Sequence, residues 1–162
     1  MVPGLAFASP EEELSGLFLQ SCMVFSGHPV SLRKWAETEK LPRVQDPARA
    51  AFLGGMPGQV FDASNTNGKF VVISRDDGGC SAVTDHAAGG VVKQALERMF
   101  ARAGVTFRLV EELDDQVNKK LHRRNYLATR QGQSWHVQAA TARDDAPAAQ
   151  AMLSAAVSPP AK

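Results

Sequence analysis

Apolar residues recur with two different periods along this chain, helical at first and alternating later, and the change of period marks its organisation. Leu14, Leu17, Phe18, Cys22 and Phe25 follow one another at helical spacing, which predicts an amphipathic helix over residues 10–25. Ser9 stands as its N-cap, Pro10 takes the first helical position and Glu12 the third. Gly27-His28-Pro29 ends it, and Cys22 falls on the buried stripe. Ser31 caps a second helix carrying Leu32, Trp35 and Ala36, and Asp46-Pro47 opens a third over residues 48–53, closed by Gly54-Gly55. Helices this short do not hold in water alone, so each must pack on something.

The period then falls to two. Residues 59–63, 69–74 and 80–84 read as strands, the second largely apolar and central, joined by an Asn-Gly turn at Asn67-Gly68 and by Asp76-Asp77-Gly78-Gly79. Tight turns make these an antiparallel meander. Val91, Val92, Ala95, Leu96, Met99 and Phe100 form one stripe of a long helix over residues 86–104, with Asp85 placed to cap it. A strand over residues 106–113 follows, then a hairpin of residues 121–130 and 134–141. A type II′ turn at Gly132-Gln133 pairs Arg130 with Trp135, Ala128 with Val137 and Tyr126 with Ala139. Tyr126, Trp135 and Val137 then face the core, Leu127, Thr129, His136 and Gln138 face away, and Arg130 lies over Trp135 as a cation–π pair. The Ala-rich stretch 148–157 reads as a short final helix.

The fold class is therefore α+β: N-terminal helices followed by a mainly antiparallel sheet, β-β-β-α-β-β-β, with one long helix packed on it. Residues 10–157 form one such domain, 1–9 a residual signal-peptide tail or disordered N-terminus, and 158–162 a disordered tail. With 162 residues, 44% hydrophobic and 22% charged, the chain is in the ordinary globular range, which excludes fibrous or wholly disordered protein. A net charge of +1 supplies no field to gather nucleic acid, and no apolar run is long enough to span a membrane.

Ala6-Phe7-Ala8 fits the small-x-small pattern of a signal-peptidase site, although the basic and long apolar parts of a signal are missing; a frayed Ala-rich terminus is the other reading. Two cysteines, Cys22 and Cys80, stand 58 positions apart, too far for a CxxC or zinc-knuckle motif. They read as one disulfide of an exported protein, or as two buried thiols.

No arrangement of residue types supports chemistry. Asp62 to Gly68 fails as a calcium loop, because Asn67 and Ile73 stand where Gly and Glu are required. Gly89-Gly90 lacks the surrounding pattern of a phosphate loop. Cys80, Asp85 and His86 offer nucleophile, acid and base types, but an extended strand separates Cys80 from His86 by about 20 Å. His28, His86, His122 and His136 show no metal-ligand spacing. The one basic run, Lys119 to Arg124, is a solvated strand end or a patch for an acidic protein partner.

The expectation is a small periplasmic or secreted, non-enzymatic protein acting through protein–protein contacts, in the manner of an immunity or inhibitor protein or an envelope-assembly accessory factor. No cofactor, metal, nucleic acid or membrane span enters this reading. Its contact residues are His122, Arg123, Arg124, Leu127 and His136, with the arginines as anchors. The alternatives are a cysteine-dependent enzyme using Cys80, told apart by thiol titration, and a small-ligand-binding module.

Overall fold

Ser9 and Pro10 start the chain's first helix as their chemistry dictates. In the computed structural model, which describes residues 9–158, Ser9 is extended and its Oγ accepts the Glu12 N–H at 3.2 Å. Helix α1 (Pro10–Phe18) runs into a π-helical turn, Leu19–Met23, whose wider path shifts the phase of the residues it carries. Cys22 lies in that turn, fully buried, and is joined to Cys80 by a disulfide with a Cα–Cα distance of 5.2 Å. Helices α2 (Pro29–Thr38) and α3 (Ala48–Leu53) follow, and Gly54 closes α3 at φ +59°. α2 begins at Pro29 with His28 before it, rather than at Ser31, because the proline ring presets the first helical residue.

Seven strands form one antiparallel sheet: β1 (Gly58–Asp62), β2 (Phe70–Arg75), β3 (Cys80–Ala87), β4 (Thr106–Asp114), β5 (Leu121–Arg130), β6 (Gln133–Ala142) and β7 (Ala149–Val157), in the order β1-β2-β3-β7-β6-β5-β4. The apolar strand β2 is thus second from an edge, not central. The long helix α4 (Gly89–Arg102) carries the chain from β3 across one face to β4 at the far edge. On this inner face α1 and α4 pack over the sheet: Leu14, Phe18, Val92, Leu96 and Phe100 meet Phe70, Val72, Tyr126, Val137 and Leu153 in one core. Phe100, Phe107 and Tyr126 contact one another in tilted and edge-on geometry at 5.4–6.1 Å. On the outer face α3 and the segment before it cover only the β1 side, where Leu53, Val60, Ile73 and Val83 form a second, smaller core.

Further sequence expectations need correction. The stretch 148–157 is strand β7, inserted between β3 and β6; its alanine content favours helix locally, but Ala151, Leu153 and Ala155 alternate onto the core, and tertiary packing prevails. The β5–β6 turn is Gln131-Gly132, both at positive φ (+50° and +79°), which is the type I′ signature. That moves the register by two, pairing Ala128 with Trp135 and Tyr126 with Val137, so every side chain keeps its expected face while Arg130 meets Gln133 instead of Trp135. Finally, Asp85 and His86 extend β3, and α4 starts at Gly89 with no side-chain cap of its own. Glu11 Oε1 instead accepts the Ala88 N–H at 2.8 Å. Glycine is required at Gly89, since a Cβ there would lie 2.0 Å from the Ala142 carbonyl oxygen.

Of the expected tails 1–9 and 158–162, Ser9 caps α1 and the Ser158 N–H donates to the Ser134 carbonyl at 2.9 Å; the rest, and with it the signal-peptide reading, lies outside the described residues. No helix among the described residues is long and apolar enough to cross a membrane.

Candidate binding face of the sheet

Alternation along the strands decides which candidate residues share a surface. The odd-numbered positions of β5 point outward, and the even-numbered ones from Arg124 to Ala128 point into the core. Arg123 and Leu127 therefore lie on the outer face, and Arg124 on the inner one. His136 on β6 is opposite Leu127 and shares its face. The five residues expected to make one contact surface are split between two sides of the sheet.

Arg124 is buried to 2% side-chain exposure at the end of the inner face, where α4 begins. Its Nε donates to Glu112 Oε1 at 2.9 Å, its Nη2 to both Asp144 carboxylate oxygens at 2.9 Å, and its Nη1 to the Gly89 carbonyl at 3.5 Å. His122 stands beside it, with Nδ1 3.0 Å from Asp114 and Nε2 2.9 Å from Glu112. Burial alone would lower the His122 pKa, but its hydrogen bonds to Asp114 and Glu112 outweigh that and raise it. The His122 hydrogen bond holds the Glu112 and Asp114 carboxyls below their ordinary range. Both residues thus bind the edge strand β4 to β5, and Arg124 also ties in the start of α4. The approach to the α4 N-terminus is occupied by the chain's own carboxylates, Glu11 on Ala88 and Asp144 against Gly90.

The outer face has a different character. One transverse row crosses five strands as Glu111, Asn125, Gln138, Ser154 and Ser81. Within it Asn125 donates to Glu111 at 3.0 Å, Gln138 donates to Asn125 at 2.9 Å, and the Ser81 and Ser154 hydroxyls are 2.8 Å apart. Arg123, half-buried, donates to Gln138 at 2.6 Å and to Asp115. The neighbouring row holds Arg108, Leu127, His136 and Ala156. The register of Cys80 opposite Ala155 brings Gly79 level with Ala156, and Arg75 stands beyond it at the end of β2. Between Arg75 and His136 the row carries nothing larger than a methyl group, and a groove of about 330 Å³ opens there. Sequence reasoning found Leu127, His136 and Gln138 on this face but missed Arg75, Ser81 and Ser154. Ser81 was legible as the polar position between buried Cys80 and Ala82.

The other proposed sites resolve simply. Cys80 is in the disulfide and 2% exposed, so it has no thiolate to attack with. The Asn-rich β1–β2 turn is satisfied within itself and by α1: Asp62 accepts the Ser64 N–H, Asn65 accepts the Asn67 N–H, and the Asn65 and Asn67 amides donate to Glu13. Compared with known protein families and with curated proteins, the chain matches none.

Proposed function

We propose that this is a non-enzymatic binding protein of the periplasm or extracellular space, engaging another protein through the outer face of its sheet. An immunity or inhibitor protein, or an accessory factor of envelope assembly, is the class of role it fits. The observation that carries this reading is the unequal treatment of the two sheet faces. Helices cover the inner face from end to end, whereas α3 covers only the β1 side of the outer one. What remains over β4, β5, β6 and β7 is a row of polar groups fixed by cross-strand hydrogen bonds beside Leu127 and an exposed His136 without a hydrogen-bond partner among the described residues. Side chains already ordered lose little entropy on binding, which is what a rigid recognition surface needs. The Cys22–Cys80 bond supports an oxidising compartment. The basic run supports a protein rather than a nucleic-acid partner, because His122, Arg123 and Arg124 are matched by Asp114, Asp115, Glu112 and Asp144.

The test is a photo-crosslinking residue placed in cells at Leu127, at His136, and at Val30, which is 79% exposed on α2, a helix packed on the inner face. A protein adduct of one defined mass is expected from the first two positions and not from the third. Equal adducts from all three, or none from Leu127 and His136, would remove the basis for this reading.

A further inference from the structure

We propose that two copies of this chain pair through the open edge of strand β4, so that their sheets join into one. The inference goes beyond the binding role of the outer face and does not depend on it. The sheet has two edges, and the chain treats them differently. Along β1 the segment before α3 covers the edge: the Asp62 N–H donates to the Pro42 carbonyl at 2.7 Å, and the Val44 N–H to the Val60 carbonyl at 2.8 Å, with Arg43 bridging to Phe61 between them. Along β4 no segment among the described residues pairs with the side away from β5. Alternate backbone N–H and C=O groups of an edge strand point away from its neighbour, and those of β4 are left to solvent or to another strand.

Edges are commonly kept from pairing by brevity, proline or lysine. β4 runs nine residues and holds neither proline nor lysine. Its apolar residues Phe107, Leu109 and Leu113 are partly exposed, and Val110 is 48% exposed. Its one irregularity, a bulge between Leu109 and Glu111, decides which residues share a face. Before the bulge, Thr106 and Arg108 lie opposite Thr129 and Leu127 on the outer face. After it, Glu111 and Leu113 lie opposite Asn125 and Arg123 on that same face. In a regular strand Arg108 and Glu111, three positions apart, would point to opposite sides.

That parity makes the strand complementary to itself. Set antiparallel to its copy about a two-fold axis between Leu109 and Val110, β4 matches outer residues with outer and inner with inner. Arg108 of each copy falls opposite Glu111 of the other, so opposite charges meet twice. Both charges are open to a partner: Arg108 has no ion pair among the described residues, and Glu111 is held by the neutral Asn125 amide at 3.0 Å. On the inner face Phe107 falls opposite Glu112, whose carboxylate stays with Arg124 and His122 while its methylenes meet the ring. Sliding the copies by two residues sets Arg108 against Leu113 and loses both charge pairs. A single strand pair buries little area, so the dimer is a weak one, in the micromolar range or above. The row of His136, Leu127 and Arg108 then continues into Glu111, Asn125 and Gln138 of the second copy, and the two outer faces become one surface.

Sedimentation equilibrium of the full chain is expected to show a concentration-dependent dimer, with β4 amides gaining protection from hydrogen exchange over the same concentrations. Arg108→Glu and, separately, Glu111→Arg set like charges against each other twice, and each should weaken the dimer about tenfold. Both positions are exposed, so the fold tolerates the changes. Combining the two substitutions restores opposite pairs with the signs exchanged and should return the dissociation constant close to that of the native chain. A chain that stays monomeric up to about 1 mM overturns the proposal and leaves the edge to a strand of another protein. A dimer indifferent to both single substitutions, a double variant no tighter than the singles, or a dimer whose β4 amides still exchange freely puts the contact elsewhere and overturns it as well.

Discussion

Arg124 provides a sharp test of the physical picture, because its two possible deletions are not equivalent. The guanidinium side chain is 2% exposed, while its partners Glu112 and Asp144 are 41% and 58% exposed. Removing the arginine leaves two carboxylates that water already reaches. Removing the carboxylates leaves a buried cation with only the Gly89 carbonyl, at 3.5 Å. An uncompensated buried charge costs about 3–5 kcal/mol, whereas removing the buried charge itself leaves no ion stranded out of water. Glu112→Ala combined with Asp144→Ala is therefore expected to destabilise by about 3–5 kcal/mol, equivalent to a fall of roughly 6–20 °C in Tm for a chain this size. Arg124→Leu, which keeps the aliphatic packing, should cost about 1–2 kcal/mol. Urea unfolding measures both, and an unchanged slope against denaturant certifies that the same transition is compared. If Arg124→Leu proves the more damaging of the two, burial of the guanidinium does not govern this cluster and the argument fails.

Two further outcomes follow from the same geometry. Cys22→Ala with Cys80→Ala opens a link between residues 58 apart, and chain entropy alone predicts a loss of roughly 4 kcal/mol; a urea midpoint unaffected by the double substitution, or by reductant in the native protein, would contradict it. His122 has a raised pKa, so its contribution is complete below the usual value of 6.5 and lost as pH climbs through the folded value, while the lowered pKa values of Glu112 and Asp114 make theirs fade as pH falls below 4.5 and 3.8. The stability difference between native protein and His122→Gln should thus peak between pH 4.5 and 6.5 and shrink toward pH 8; a difference constant from pH 5 to 8 refutes the bridge.

What was legible in the sequence was whatever local chemistry dictates. The Ser9-Pro10 helix start, the Gly54 stop and the placement of Cys22 on a buried stripe all rest on near neighbours, and all stand. The misreadings arise where distant parts decide. Residues 149–157 are small and helix-tolerant, and only the presence of β3 and β6 on either side makes a strand of them. The position of Arg124 was in fact readable, since period two sets it on the same face as Tyr126 and Ala128; counting it among surface cations put residue type above parity. The groove was not readable, because Arg75, Gly79 and Ala156 are level only through a pairing of β3 with β7 across more than seventy residues.

That pairing also explains why the binding face and the fold are one problem. β1–β2–β3 form one meander and β4–β5–β6 the other side of the sheet, and within the sheet only β7 joins them. Of the inner residues of β7, Ala151 and Ala155 are small and let α1 lie close over Leu153, with the disulfide holding the π turn of that helix to β3 beside them. Its outer residues, Ser154 and Ala156, supply one of the two paired hydroxyls and half of the groove floor. Arg75 and His136 therefore face each other across a gap only when the last strand is seated. The alternation that buries Leu153 is the same alternation that presents Ser154, so a substitution that loosens the inner packing of β7 reaches the outer face through the backbone, with no contact to the groove itself.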